Sequence, residues 1–69
     1  MIVSVSETVL DRYTVIMLAE DIPSGAYYVV LNGKKHKMIP VYESDLRTFA
    51  IEGRFDLAGE EIIFLSNDE

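Results

Sequence analysis

The sequence predicts an all-β fold, a small antiparallel barrel or sandwich of five to six short strands, SH3-like or partly open, around a central β-hairpin. Three observations predict it. Asn32-Gly33 separates Ala26–Leu31 from Lys34–Tyr42. That dipeptide is the strongest short-range signal for a two-residue type I′ turn, because both central residues must take φ > 0. Thr48 to Leu57 alternates apolar and polar residues, with Phe49, Ile51, Gly53, Phe55 and Leu57 on one side. That is the period of a half-buried strand. Turn residues recur at roughly 8–12-residue spacing, as in small all-β folds.

The 69 residues make one domain, spanning 1–69, with the polar tail 66–69 expected to fray. A domain near this size buries only ~60% of the surface its unfolded chain exposes, so its stability is marginal. Hydrophobic residues make up 49% of the chain and there is no cysteine. Neither a disulfide nor a thiolate metal site can support the fold. Either the core suffices alone or the chain also buries surface against a copy of itself or a partner, and composition leans towards the second.

Taken in order, Val3 and Val5 alternate with Ser4 and Ser6, a short strand signal. Residues 6–12 are ambiguous. Ser6 with Glu7 would start a helix, but Thr8, Val9, Tyr13, Thr14, Val15 and Ile16 prefer strands. Strand, turn at Asp11-Arg12, strand is favoured. Tyr13 to Ala19 is nearly all apolar, which predicts a central strand buried on both faces, although periodicity alone does not separate so short a run from a helix. Ile22-Pro23-Ser24-Gly25 suits a type I turn with proline second and glycine fourth.

In the hairpin, Leu31 should face Lys34, Val29 His36 and Tyr27 Met38 on one side. Val30 should face Lys35, Tyr28 Lys37 and Ala26 Ile39 on the other. The base (Tyr27, Tyr28, Val29, Met38, Ile39) then enters the core, while the tip from Asn32 to Lys37 protrudes. Pro40 cannot donate a ladder hydrogen bond, which implies an edge or a bulge. Glu43-Ser44-Asp45 reads as a polar loop, Gly53 as a bend, Ala58-Gly59 as a turn and Glu60–Leu65 as the last strand.

Twelve acidic residues against six basic ones leave a net charge of −6. Such a field repels phosphate backbones, so nucleic-acid binding is unlikely from the sum alone. The amino terminus lacks a basic region and reaches Glu7 before any long apolar core, unlike a signal peptide. No apolar run approaches the ~18–20 residues of a membrane helix. The expected setting is cytoplasmic and soluble, with no membrane partner.

Catalysis finds little support. His36, the one histidine, sits among lysines with no nucleophile placed beside it, and reads as a solvated hairpin residue. One histidine and scattered carboxylates supply no spaced ligand set, so no metal and no cofactor is expected. Two surfaces remain as binding candidates. Lys34, Lys35, His36 and Lys37, near Tyr27 and Tyr28, are the one basic patch, suited to stacking bases beside cations or simply to solubility. Glu60 and Glu61, with Glu52, Asp56, Asp68 and Glu69, form either a solvated face or a docking surface for a basic protein.

Asp11-Arg12-Tyr13-Thr14-Val15-Ile16-Met17, Pro40-Val41-Tyr42 and Ala50-Ile51-Glu52-Gly53 together resemble small uncharacterised proteins encoded by prophages of Gram-positive bacteria. The resemblance covers most of the chain and brings no assigned activity. It implies an accessory protein of a mobile element. The expectation is a non-catalytic module that binds another protein or itself as a homodimer. The alternatives are a single-stranded nucleic-acid-binding barrel using the lysine tip and a structural subunit of a larger assembly.

Overall fold

Short β-branched runs separated by turn residues give strands and, among the described residues, no helix. The computed structural model describes residues 1–41 and 45–68, and among them seven strands lie in two antiparallel sheets. The strands are β1 (Val3–Val9), β2 (Tyr13–Leu18), β3 (Ala26–Leu31), β4 (Lys34–Lys37), β5 (Ile39–Pro40), β6 (Thr48–Glu52) and β7 (Ile63–Ser66). One sheet has the order β1-β2-β6-β5, the other β4-β3-β7. A small sandwich-like fold describes this arrangement. Tyr42, Glu43, Ser44 and Glu69, and with them most of the expected polar loop, lie outside the described residues.

The central hairpin forms with the expected register from Leu31↔Lys34 to Tyr28↔Lys37. Asn32 and Gly33 take φ of 52° and 77°, the left-handed values a type I′ turn demands. Met38 still donates its N–H to Tyr27 O at 3.0 Å. The expected Ala26–Ile39 pair does not form. Beyond Met38 the chain leaves this sheet, and Ile39 and Pro40 pair with Ala50 and Phe49 of β6. The returning strand is therefore broken into β4 and β5, which is why seven strands appear instead of five or six. Pro40 lies on the edge strand of the four-stranded sheet, where its missing N–H costs no ladder bond.

Residues 6–12 are strand and turn, as favoured, but the turn sits one residue early. Leu10 and Asp11 have φ of 53° and 55°, and Arg12 N–H bonds Val9 O at 3.1 Å. Pro23 opens its turn instead of standing second: Ala26 N–H bonds Pro23 O at 3.1 Å, and Gly25, third, has φ 83°. A positive φ at the third position is the type II signature. In β1 a register shift between Val3 and Val5 breaks the expected alternation. Val3 is buried, Val5 turns outward, and Ser6 turns towards the segment 55–57.

The core lies between the sheets: Val3, Ile16, Leu18, Val29, Leu31, Phe49, Ile51 and Ile62, with Met1, Ile22, Met38, Phe55, Leu57 and Phe64 packed against them. Phe49 and Phe64 meet edge to face at 5.9 Å between ring centres, joining the two sheets. The amino-terminal segment links the sheets on one side. Met1 ammonium and Ile62 N–H exchange bonds with Ile62 O and Met1 O at 3.0 and 2.8 Å, and Ile2 bridges Glu61. The last strand accordingly begins at Ile63 and not Glu60, and Ser66, expected in the tail, pairs with Ala26.

Two strands exchange their expected roles. β2 is central but buried on one face only: Thr14, Ile16 and Leu18 point inward, and Met17 is exposed. β6, expected to be half-buried, hides Thr48, Phe49, Ala50 and Ile51 alike. It sits between β2 and β5, and before Glu52 at its end it carries on its outer side only Thr48 and Ala50, small enough for the neighbouring side chains to cover. Asp45 accepts the Arg47 N–H and the Thr48 hydroxyl at 2.8 Å each. The backbone bond from Arg47 first, and the Thr48 hydroxyl second, hold its carboxyl below the ordinary value.

Candidate functional site

Alternation along the strands gives each sheet an inner row, spent on the core, and an outer row. The outer rows are the candidate sites. On the four-stranded sheet the pairs Val5↔Met17, Glu7↔Val15, Val9↔Tyr13, Val15↔Ala50 and Ile39↔Ala50 lie on one surface. Val5 is 46%, Met17 40% and Ile39 36% exposed, and half-buried Val15 and Tyr13 join them. Charge appears on this surface as Glu7 on β1, Glu52 opposite Tyr13 on β6, and Arg12, whose guanidinium carbon lies 5.7 Å from the centre of the Tyr13 ring. The face is apolar in the middle and carries charge of both signs at the rim.

On the three-stranded sheet, Val30↔Lys35, Tyr28↔Lys37, Val30↔Ile63 and Tyr28↔Leu65 define the other outer face. Ile63 is 63% exposed, beside half-buried Val30, Tyr28 and Leu65. Lys35 Nζ lies 4.8 Å from the centre of the Tyr28 ring, and Lys37 Nζ lies 5.5 Å from that of Tyr27. The two tyrosines meet edge to face at 4.8 Å. Each exposed cation–π contact contributes about 0.5–1 kcal/mol. Their larger consequence is to hold two cations beside an apolar patch.

The basic patch therefore divides. Lys35 and Lys37 belong to the outer face, while Lys34 and His36 alternate to the other side of β4. His36 pairs with Val29 and its ring packs edge-on against Phe55 at 5.2 Å between centres. It is half-buried, not the solvated residue expected from its lysine neighbours. An aromatic neighbour gives it neither a nucleophile nor a carboxylate to work with. The hairpin base is corrected too. Leu31, next to the turn, is buried, whereas Ile39 at the base is exposed. Faces, not ends, divide this hairpin.

Glu60 and Glu61 are both exposed. Glu60 serves through its backbone, accepting the Val3 N–H at 2.9 Å. The Glu61 carboxylate stands 3.7 Å from the Met1 ammonium. With Asp56, Asn32 and Leu57 they line a polar depression of about 330 Å³ beside the hairpin turn. A larger apolar cleft of about 830 Å³ opens between Ile22, Pro23, Tyr27, Met38, Leu46 and Phe49. Among the described residues no group of three or more His, Cys, Asp or Glu side chains could hold a metal ion, and no helix is long and apolar enough to cross a membrane.

Sequence reasoning found the lysines and missed the row Val5, Val15, Met17 and Ile39. The signal was present in Tyr13–Ala19, apolar at every position but Thr14. Such a run means either two covered faces or one left open, and local residues cannot distinguish them. Compared with protein-family models, curated proteins and solved structures, the chain matches none of them.

Proposed function

We propose that the protein is a non-catalytic binding module that docks a protein partner on the outer face of its four-stranded sheet. The contiguous row Val5, Val15, Met17 and Ile39 carries the reading. Single exposed apolar residues are ordinary, but a contiguous patch rimmed by charge marks an interaction surface. Glu7 and Glu52, against the single Arg12 at this rim, favour a partner with basic groups around an apolar centre. The resemblance to prophage-encoded proteins suits an accessory role of this kind in the cytoplasm. A role as a structural subunit uses the same face. We read the link from β4 through Met38 to β5, with the Met1–Ile62 bonds opposite, as the two seams of a partly open barrel.

The second reading is single-stranded nucleic-acid binding on the other outer face, favoured by Lys35 and Lys37 beside Tyr28 and Tyr27. The net charge of −6 opposes it. Affinity capture from a native host lysate, with and without nuclease, separates the two. Protein bands that survive nuclease and disappear with Met17→Asp are expected. Bands retained by Met17→Asp, or bands lost to nuclease and to Lys35→Glu with Lys37→Glu, would overturn the first reading.

A further inference from the structure

We infer that Asn32 is a modification site, where the side-chain amide is lost by attack of the Gly33 backbone nitrogen, with water as the second reactant. The inference is independent of the docking reading. Asn32 and Gly33 are both exposed at the hairpin turn. Among the described residues no hydrogen bond holds the Asn32 amide or the Gly33 N–H. The closing pair of the loop is Leu31↔Lys34, which leaves the Gly33 N–H outside the ladder. A Cβ built on Gly33 would meet nothing within 4 Å, so no residue beyond its chain neighbours crowds the position. Glycine itself brings no side chain to screen its nitrogen.

Gly33 N gives its proton to solvent and bonds to Asn32 Cγ, while the Cγ–Nδ2 bond breaks and ammonia leaves. The ring closes through Asn32 Cγ, Cβ, Cα and C and Gly33 N, giving a succinimide. Water then opens it at either carbonyl. Breaking the Cγ–N bond leaves aspartate with the main chain as before. Breaking the backbone C–N bond leaves isoaspartate, whose main chain runs through Cβ and Cγ. Either way an amide and a water become a carboxylate and an ammonium ion. The φ values of 52° and 77° belong to the closed turn, and ring closure requires the Asn32 ψ to rotate away from it. That opening is local, because β4 is a four-residue strand at the edge of its sheet.

The two products affect the hairpin differently. Aspartate tolerates the left-handed conformation much as asparagine does, so the register survives. It adds one negative charge to a chain of net charge −6, within the depression that Asn32 shares with Asp56, Glu60 and Glu61. Isoaspartate instead lengthens the main chain of a loop whose two residues set the register. The Leu31↔Lys34 pair and the ladder behind it then cannot close as before. The chain's other asparagine, Asn67, is exposed too, but it precedes Asp68, whose side chain crowds the attacking nitrogen. It serves as the internal control.

Incubation of the folded full chain at neutral pH and physiological temperature tests this, with intact mass and peptide mapping at intervals. Asn32 should convert to the acid at least about tenfold faster than Asn67, a barrier difference of about 1.4 kcal/mol. Two products should separate by chromatography, both mapping to Asn32-Gly33. The isolated isoaspartate form should melt below the unmodified chain and below Asn32→Asp, which adds the charge without lengthening the main chain. Its amide resonances at Leu31 and Lys34 should also shift further than those of Asn32→Asp. An Asn32 that stays intact in the folded chain would overturn the inference, since the turn then protects it. So would conversion of Asn67 at an equal rate. An isoaspartate form that melts with Asn32→Asp would overturn the effect on the register.

Discussion

Gly53 and Thr14 show how much rests on single residues where β6 ends. Gly53 has φ 115°, a region L-residues rarely enter, and a Cβ there would lie 2.7 Å from Phe55 Cε2. Thr14, fully buried, donates its hydroxyl to Gly53 O at 2.8 Å and accepts the Phe55 N–H at 3.0 Å. Together they turn the chain so that Phe55 reaches His36. Gly53→Ala should lower unfolding free energy by about 2–4 kcal/mol, combining the cost of a strained φ with overpacking against the ring. Urea denaturation measures it; a loss under about 1 kcal/mol would mean the bend tolerates a side chain. The bend itself was legible from Gly53 interrupting an apolar row. Its partner was not, because Thr14 lies 39 residues away and its hydroxyl gives no local signal.

Among the elements, the hairpin joining β1 and β2 carries an avoidable cost. Leu10 is 84% exposed and holds φ 53°, so it gains little from burial while adopting a conformation that costs a non-glycine residue about 1–2 kcal/mol. Leu10→Gly should therefore raise stability by about 0.5–1 kcal/mol, the release of strain being partly offset by glycine's greater freedom when unfolded. A thermal melt showing no gain would mean that Leu10 makes a contact which offsets its strain. The strand-turn-strand pattern was readable here from Thr8, Val9 and Tyr13–Ile16. The turn position was not, because Asp11-Arg12 carries more turn propensity than a leucine. Only the pairing of Val9 with Tyr13 places Leu10 in the turn.

For the whole molecule, stability depends on two small sheets covering one core. A chain of this length has about 3–10 kcal/mol of unfolding free energy in all. Val29 is fully buried at the centre of β3, paired with His36 on one side and Phe64 on the other. Val29→Asp would bury a carboxylate without a partner, at a cost of at least about 3–5 kcal/mol. The variant should lack dispersed amide resonances and a cooperative melt. A folded Val29→Asp protein would mean the sheets separate without loss of the core. The radius of gyration, 10.9 Å, matches the roughly 11 Å of a compact chain of this length, so a charge at this point has no slack volume to enter.

By itself the sequence determined the all-β class, the Asn32-Gly33 hairpin with its register as far as Tyr28 and Lys37, and the edge position of Pro40. These are decided by backbone preference and side-chain alternation over a few residues. Only the tertiary structure decided that β4 and β5 part at Met38, that β6 and not β2 is covered on both faces, and that Val5, Val15, Met17 and Ile39 form one open surface. The physical reason is the same in each case. A strand's period says which residues share a face, whereas what covers that face depends on strands distant in sequence. An apolar row reads identically whether it is core or open surface, and here the second sheet covers one face of β2 and leaves the other exposed.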